Sequence, residues 1–260
     1  MYMHMHVIWF NKRHIMKTTN SHNEQQWSLV TAATSGIGLV FAKELTLYSN
    51  PLTVNGIKMS LLFNAVNVVP NMVEMQLHEG EQKSSQFLQL NPDGKIPVLA
   101  DDELVLTESN AILQYITNKY QSPLWPQNIA EQGQTLKWLF WQASTWSKAT
   151  SPFAHRRVVL PHWGITGREN IEPELLARFH KVMSQFNQAL EGRRTIFGET
   201  LTIADLSLAS SLIFSAEAKM PLENYPHIQN WLNHLGETSW WLQTKQTRAK
   251  ILNNPVHMHP

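Results

Sequence analysis

The chain has 260 residues and a formal net charge of +1, from 21 Lys and Arg against 20 Asp and Glu. This length suits one large domain or two of modest size. The balanced charge argues against a general nucleic-acid-binding protein, which normally carries a basic excess. The sequence has no cysteine, which excludes disulfides, thiolate metal sites and a cysteine nucleophile.

The two ends of the chain carry little pattern. Residues 1–26 are polar and aperiodic, so we expect a poorly ordered arm. No apolar run reaches about 18 residues, which predicts no membrane span. The order of apolar and basic residues at the start does not fit a signal peptide, so we expect a cytoplasmic protein. Histidines cluster at both ends, but we interpret them as His-rich termini and predict no metal site.

The middle of the chain alternates between strand and helix patterns. We predict a strand at Leu45–Ser49 as the first element of the order β-α-β-α-β-β-α, which is typical of a small α/β domain. The later elements are expected at 55–66, 71–77, 83–90, 94–99 and 104–106, with a helix opening at Thr107-Glu108-Ser109.

A segment with two prolines follows and predicts a linker. Beyond it the apolar spacing is helical to the end, at 132–149, 171–192, 203–217 and 226–234. The chain is therefore divided into an extension at 1–44 that is partly poorly ordered, an α/β domain at 45–120, a linker at 121–131, an all-helical domain at 132–250 and a tail at 251–260.

Several motifs resemble those of the cytosolic glutathione transferases. They are Asn91–Leu99 (NPDGKIPVL), Leu106–Ile112 (LTESNAI), Leu201–Leu206 (LTIADL) and Tyr225–Trp231 (YPHIQNW). The resemblance implies a thioredoxin-like domain followed by an all-α domain. It also implies glutathione as a co-substrate, no permanently bound cofactor, a small electrophile, a homodimer and a role in detoxification, without nucleic acid or membrane.

The same resemblance assigns glutathione-binding residues. It implies a cis bond at Ile96-Pro97, which would present Ile96 to a peptide ligand as an added strand does; the sequence alone favours a trans bond. Ser109, at a helix start, would hold the γ-glutamyl carboxylate, and Glu108 the ammonium, although plain capping by Thr107 or Ser109 is the simpler interpretation. Lys95 and Gln82 are candidates near the glycyl carboxylate.

The catalytic candidates lie in the turn after the first strand. A donor aimed at the glutathione sulfur, beside a helix N-terminus, favours the thiolate. Alignment with the serine-type classes places Thr53 at this hydroxyl. The motif Thr53-x-Asn55-Gly56 also resembles a bacterial class that uses a Thr/Asn pair. Tyr48 and Ser49 are less favoured, and Thr53 could simply cap the following helix.

We therefore predict a glutathione transferase whose thiolate attacks a mainly apolar electrophile. The alternatives are a non-catalytic glutathione-binding or protein-interaction member of the fold, and a glutathione-dependent disulfide reductase. Trp138, Phe140 and Trp141 are considered for the acceptor pocket, but a Trp at such spacing lies more often in a core, so we do not assign them to the pocket. Thr202-x-x-Asp205 predicts a capping box with no chemical role.

Two motifs imitate a different family. The segment 30–38 (VTAATSGIG) resembles the dinucleotide-binding turn of short-chain dehydrogenases, but Ala32 stands where the first glycine belongs. Tyr115-x-x-x-Lys119 resembles the Tyr/Lys pair of those enzymes and lies too early in the chain. We do not predict nucleotide binding.

Overall fold

The computed structural model describes residues 40–167 and 169–254, and of residues 40–44 only the backbone. The N-terminal domain has four strands and three helices. They are β1 (Val40–Ser49), α1 (Val54–Val66), β2 (Val68–Glu74), α2 (Ser85–Leu90), β3 (Val98–Asp101), β4 (Leu104–Leu106) and α3 (Ser109–Lys119), with a short 3-10 turn at Glu81–Lys83 before α2. The predicted order β-α-β-α-β-β-α is confirmed.

The strands form one mixed sheet in the order β2-β1-β3-β4. Strand β1 pairs parallel to β2, with Leu47 opposite Met72, and antiparallel to β3, with Leu47 opposite Leu99. Strand β4 closes the edge antiparallel to β3. The end of β1 therefore lies beside the start of β3. This brings the loop that follows β1 close to the loop that precedes β3.

The two faces of this sheet have different cores because side chains alternate along a strand. Leu45 and Leu47 belong to the main core, which continues through α1 and α3 into the helical domain. Tyr48, on the opposite face, packs with Phe87 of α2 and Val98 in a smaller cluster. Helix α1 is therefore enclosed between the sheet and the helical domain.

Within its described part the C-terminal domain is built of helices, with two isolated antiparallel β-bridges, Thr195–Gly198 and Phe197–Thr200. Its elements are α4 (Ile129–Trp141), α5 (Ser147–Ala154), α6 (Leu160–His162), α7 (Pro173–Ala189), α8 (Ile203–Leu212), α9 (Pro226–Gly236) and α10 (Ser239–Leu252). Two π-helical segments, Gln142–Trp146 and His155–Val159, join α4, α5 and α6 into one continuous rod. Every residue of α8 is buried, so this helix is the centre of the domain.

The predicted capping box at the start of α8 is confirmed. Thr202 and Asp205 bond each other's backbone reciprocally. Asp205 is fully buried, and its carboxylate also accepts a hydrogen bond from the indole of Trp231 at 3.0 Å and from Ile196 N at 3.1 Å. Burial raises the pKa of Asp205, although these donors oppose the shift. The motif joins α8 to α9, which is a structural role.

Several predicted boundaries were wrong. Strand β1 begins at Val40 rather than Leu45, and β2 covers Val68–Glu74 rather than 71–77. The helix predicted at 132–149 continues to His162 through Pro152 and Pro161, residues that usually end a helix. The helix predicted at 203–217 ends at Leu212.

The Tyr115/Lys119 pair has a structural role. Tyr115 OH donates to the Asp101 carboxylate at 2.6 Å, and Lys119 forms an ion pair with the same group. These contacts join α3 to β3, so the imitation of a dehydrogenase pair is explained. The glycine motif at 30–38 and the histidines of both ends lie outside the described residues.

Two features are absent from the part of the chain that the structure describes. No helix there is long and apolar enough to cross a membrane. No group of His, Asp or Glu within 40–167 and 169–254 is arranged to hold a metal ion.

Candidate functional site

Helix α1 begins in a tight turn built around Asn50, which is buried. Its side-chain Nδ2 donates to Met75 O at 3.1 Å, and its Oδ1 accepts from Leu52 N at 3.0 Å. Its backbone oxygen accepts from Thr53 N at 3.2 Å and from Thr53 Oγ1 at 3.0 Å. These bonds fix the first turn of α1 against the end of β2.

Gly56 is required by the closeness of this turn. A Cβ atom built at Gly56 would lie 1.8 Å from the carbonyl oxygen of Asn50 and 2.9 Å from Thr53 Oγ1. No side chain fits in this space, so the turn and the helix can approach only at a glycine.

Thr53 caps α1, as the simpler sequence interpretation expected. Its Oγ1 accepts from Gly56 N at 3.0 Å and donates its hydrogen to Asn50 O at 3.0 Å. The residue lines the large cleft described below. Because a hydroxyl has one hydrogen, Thr53 must break its bond to Asn50 before it can donate to a ligand.

Tyr48 and Ser49 do not line the cleft. Tyr48 lies in β1 and packs edge-on against Phe87, with ring centroids 6.1 Å apart. Ser49 is 1% exposed, and its hydroxyl has no hydrogen-bond partner among the described residues. Both therefore lie outside the lining of the cleft, to which Thr53 belongs.

Asn55 lies in the first turn of α1 and lines the cleft. Its Oδ1 accepts from Ser109 Oγ at 3.2 Å. Within the described structure its Nδ2 has no partner, and neither do the backbone N–H groups of Val54 and Asn55. These donors, together with the positive end of the helix, make this corner suited to an anion.

The Ile96–Pro97 bond is cis, as the resemblance implied. Ile96 lies in the loop before β3 and lines the cleft. Among the described residues its backbone N–H and C=O have no hydrogen-bond partner, so both remain available to an extended ligand.

Glu108 and Ser109 form the start of α3. Glu108 is exposed and has φ +65°, an uncommon conformation for a residue with a side chain. No side chain caps α3, so capping by Thr107 or Ser109 is wrong. The Ser109 hydroxyl is engaged on both sides, while its backbone N–H has no partner in the described structure.

A small pocket connects these residues. Its volume is about 70 Å³, and it touches both helix starts and the cis-proline loop. Its lining includes Asn55, Asn91, Asp93, Lys95, Ile96, Pro97, Thr107, Glu108 and Ser109. The structure therefore brings together all of the predicted binding residues except Gln82, which lies further along the adjoining cleft.

Lys95 and Gln82 lie at the outer end. The Lys95 side chain is 74% exposed and its Nζ is 3.9 Å from a carboxylate oxygen of Asp93. Gln82 donates to Leu77 O at 3.4 Å, while its buried Oε1 has no partner in the described residues. Both residues line the cleft, where a ligand could reach them.

The large cleft has a volume of about 740 Å³ and lies between the two domains. Its N-terminal wall includes Thr53, Val54, Asn55, Leu77, Gln82, Lys95 and Ile96. Its helical wall consists of Ala143, Ser147, Lys148, Ser151, Pro152, His155, Arg156 and Val159. This wall mixes apolar, hydroxyl and basic groups.

The aromatic residues considered for this pocket are elsewhere. Trp138 and Trp141 pack against each other and against Phe186 in the core, with ring centroids 5.2 to 6.2 Å apart. Phe140 is 73% exposed and does not line the cleft. The core interpretation holds for the two tryptophans, and the pocket interpretation is wrong for all three residues.

Lys58 of α1 is the site residue that sequence reasoning missed. It is 1% exposed, and its Nζ donates to Ser109 Oγ at 2.9 Å, Asn110 Oδ1 at 2.8 Å and Gln142 Oε1 at 3.1 Å. Burial lowers the pKa of Lys58 from 10.5 to about 7, against a smaller opposing effect of the Glu108 carboxylate. This amine has a pKa near neutrality and is connected to Asn55 through two hydrogen bonds by way of Ser109. Such a buried titratable group is a signal of a functional site.

One sequence signal could have identified this lysine. Lys58, Leu61, Leu62 and Ala65 have the spacing of a single helix face, and that face is apolar apart from the lysine. A basic residue in such a position must have partners within the core.

Comparison with known proteins agrees with this geometry. A model of the glutathione S-transferase N-terminal domain matches residues 43–118, and a model of the C-terminal domain matches 157–234, together more than half of the chain. Glutathione S-transferase F10 of Arabidopsis thaliana is 26% identical over 212 residues, which cover 79% of this chain and 97% of that protein. Protein URE2 of Candida maltosa is 32% identical over 132 residues, 48% of this chain and only 39% of that protein.

Solved structures show the same fold. A glutathione S-transferase-I bound with lactoylglutathione superposes with a TM-score of 0.69 and 25% identity, covering 78% of this chain and 99% of that chain. The glutathione transferase URE2P6 of Phanerochaete chrysosporium, in complex with oxidized glutathione, gives a TM-score of 0.68 at 24% identity, covering 80% of this chain and 97% of that chain.

The buried amine predicts a specific pH dependence of stability. Between about pH 7 and 10.5 the unfolded chain keeps the Lys58 proton and the folded protein releases it. The free energy of unfolding therefore rises with pH in that range, while below it the cost of burying the charge is present in full. Relative to Lys58→Met, we expect the free energy of unfolding of the wild type to rise by about 3 kcal/mol between about pH 6 and pH 9.

Urea titrations of both proteins at each pH measure this difference. Lys181→Met, which removes an exposed lysine of α7, is the matched control and is expected to parallel the wild type. A difference between wild type and Lys58→Met that does not change with pH would contradict the shifted titration.

Proposed function

Because the chain belongs to the glutathione S-transferase family, we propose that it is an enzyme that holds the thiolate of glutathione and directs it at an electrophilic second substrate. One observation carries the proposal. The start of α1, the cis Ile96–Pro97 loop and the start of α3 converge on one small pocket that opens into a cleft facing the helical domain.

In this proposal the peptide lies along the pocket with its γ-glutamyl end at α3. The backbone N–H of Ser109 and the helix dipole attract the carboxylate, and the Glu108 carboxylate pairs with the ammonium. Ile96 forms strand-like hydrogen bonds to the cysteinyl unit. Lys95 and Gln82 receive the glycyl carboxylate at the outer end.

The sulfur then reaches the start of α1. We propose that Asn55 Nδ2 donates to the thiolate, supported by its lack of another partner in the described residues. Thr53 sets the position of this donor by capping the helix, and it can donate only after leaving Asn50 O. Such donors favour the thiolate by stabilising the anion, so no general base is required.

The helical wall suggests the class of the second substrate. Ala143, Pro152 and Val159 provide an apolar surface, which supports the expected apolar electrophile. Lys148 adds an exposed ammonium with no ion pair or hydrogen bond to other described residues. Burial, with a smaller effect of Arg156, lowers the pKa of His155, which leaves it neutral near pH 7. We therefore propose an apolar electrophile that carries an acidic group.

The assay of function has two stages. The protein is expected to be retained on immobilised glutathione and then to conjugate a chromogenic aryl halide, followed by absorbance. Retention without conjugation would favour the non-catalytic alternative, whereas turnover only of a disulfide, followed by NADPH-coupled reduction, would favour the reductase alternative. Absence of retention would remove the proposal.

The same assay tests the acidic group. We expect a higher kcat/KM for a carboxylated aryl halide than for its methyl ester, because the Lys148 ammonium attracts the carboxylate. Lys148→Ala should abolish this preference, a change of about fivefold, and leave the ester unaffected. Lys137→Ala on α4, outside the cleft lining, is the control. An unchanged preference in Lys148→Ala would contradict the assignment.

The two catalytic candidates separate by substitution. Asn55→Ala is expected to lower kcat/KM about 100-fold, because one preorganised donor to the anion is lost. Thr53→Ser keeps the hydroxyl cap and should retain most activity, whereas Thr53→Val should lose about 1 kcal/mol of stability. Steady-state kinetics and urea unfolding measure both effects. Full activity in Asn55→Ala would contradict the role of Asn55 and would indicate Thr53 as the donor to the thiolate.

We also propose a homodimer, supported by large apolar side chains that remain exposed. Phe140 on α4 is 73% exposed, and Leu104 and Val105 on the edge strand β4 are 38% and 43% exposed. A second copy covering these groups would remove them from water. We expect a dimer in sedimentation velocity and a shift toward monomer in Phe140→Arg. A wild-type monomer at micromolar concentration would contradict the proposal.

A further inference from the structure

A continuous hydrogen-bond chain connects a buried lysine to the proposed thiolate donor. Lys58 Nζ lies 2.9 Å from Ser109 Oγ, and Ser109 Oγ lies 3.2 Å from Asn55 Oδ1. Lys58 and Ser109 are buried, and Asn55 opens into the cleft. These hydrogen bonds therefore lead from the interior of the domain interface to the surface on which glutathione is proposed to bind.

The direction of each hydrogen bond follows from counting hydrogens. An ammonium has three donors and no acceptor, and Lys58 uses them on Ser109, Asn110 and Gln142. Ser109 must therefore accept from Lys58, and its single hydrogen goes to Asn55 Oδ1. With Oδ1 held inward, the other end of the carboxamide, Nδ2, remains for the cleft.

The other members of the cluster support this direction. Asn110 Nδ2 donates to Leu139 O at 2.8 Å and to Gln142 Oε1 at 3.1 Å, so Asn110 Oδ1 is an acceptor. Ser207 Oγ of α8 donates to the same oxygen at 2.7 Å. Apart from Ser109, each group that faces the ammonium is an amide oxygen, and none is a carboxylate.

We propose that Lys58 is a positioning residue of the reaction: its ammonium orders the Ser109 hydroxyl so that Asn55 presents its amide hydrogens, and not its oxygen, to the glutathione sulfur. The inference rests on the proposed function and assigns a role to a residue that does not itself touch substrate. An amide oxygen turned toward the sulfur would repel a thiolate, whereas an amide N–H stabilises it.

Deprotonation of the Lys58 ammonium reverses the direction of these hydrogen bonds. A neutral amine has a lone pair that accepts a hydrogen from Ser109 Oγ, and the serine oxygen then accepts from Asn55 Nδ2. The carboxamide turns, and its oxygen faces the cleft. Glu108 is the charged group that acts on Lys58 and favours its protonated form, while Gln142 and Ser207, from the helical domain, are uncharged. Lys58 titrates at about 7, so this reversal falls within an ordinary pH range.

The test measures the pKa of the bound glutathione thiol directly. The ultraviolet absorbance of the thiolate is titrated in the glutathione complex of the full-length protein for wild type, Lys58→Met, Asn55→Ala and the double variant. We expect Lys58→Met to raise the thiol pKa by about one unit, which is a tenfold lower ratio of thiolate to thiol at a given pH. In the Asn55→Ala background the same substitution is expected to add almost nothing, because both act through one donor.

A matched control separates positioning from packing. Ser207→Ala removes a buried hydrogen bond to Asn110 but leaves the Lys58–Ser109–Asn55 chain intact. It should lower stability without changing the thiol pKa. If Lys58→Met does not fold, Ser109→Ala interrupts the same chain without removing the lysine, and the same shift in thiol pKa is expected.

Two results would overturn the inference. The first is a Lys58→Met or Ser109→Ala variant that still binds glutathione and has an unchanged thiol pKa. The second is a shift in thiol pKa from Lys58→Met that adds fully to the shift from Asn55→Ala. Both leave the proposed function standing, because the wild type would still bind glutathione with a lowered thiol pKa. A wild type that does not bind glutathione would overturn both proposals.

Discussion

The Lys58 ammonium must satisfy three donors in the interior of the protein, far from water. Its acceptors come from α3 and from the π-helical segment Gln142–Trp146, so a single charge connects α1 to its own domain and to the helical domain. Leaving one of these bonds unmade would expose a buried charge to an apolar environment, which is far more costly than losing a surface contact. The relative placement of α1, α3 and the helical wall therefore depends on this group.

The start of α1 depends on a second, purely steric constraint. Asn50 directs its backbone oxygen into the space that a side chain at residue 56 would occupy, and Thr53 spans the gap with its hydroxyl. The free N–H groups of Val54 and Asn55 are thereby held toward the cleft. The same turn thus fixes a helix end and leaves donors unpaired, which is the property an anion site needs.

Apolar periodicity was sufficient to predict the α/β order and the buried helices α8 and α9, because their inward faces are hydrophobic. It did not find α10, whose buried face contains Thr244 and Arg248 beside Trp240 and Trp241. The role of Lys58 was not predicted for the same reason, since a polar group in a core is recognisable only from its partners. The cis bond at Pro97 followed from family resemblance, and no local pattern of residues distinguishes it from a trans bond. The hydrogen-bond partners of Thr53 and Ser109 required coordinates, because they come from the turn at Asn50 and from residues more than fifty positions away.

The π-helical segments of the rod between Ile129 and His162 have a consequence for how such a chain can diverge. A π turn holds one more residue than an α turn, so Gln142–Trp146 behaves as an insertion accommodated within a helix. Removing one residue there would restore regular turns and leave the residues beyond it facing almost as they do now, because the wider turn already contains the extra residue. Ser147 and Ser151 would therefore keep their places in the cleft, opposite the start of α1. A change of one codon in length can therefore be absorbed within this helical wall without exchanging the side chains that face the cleft.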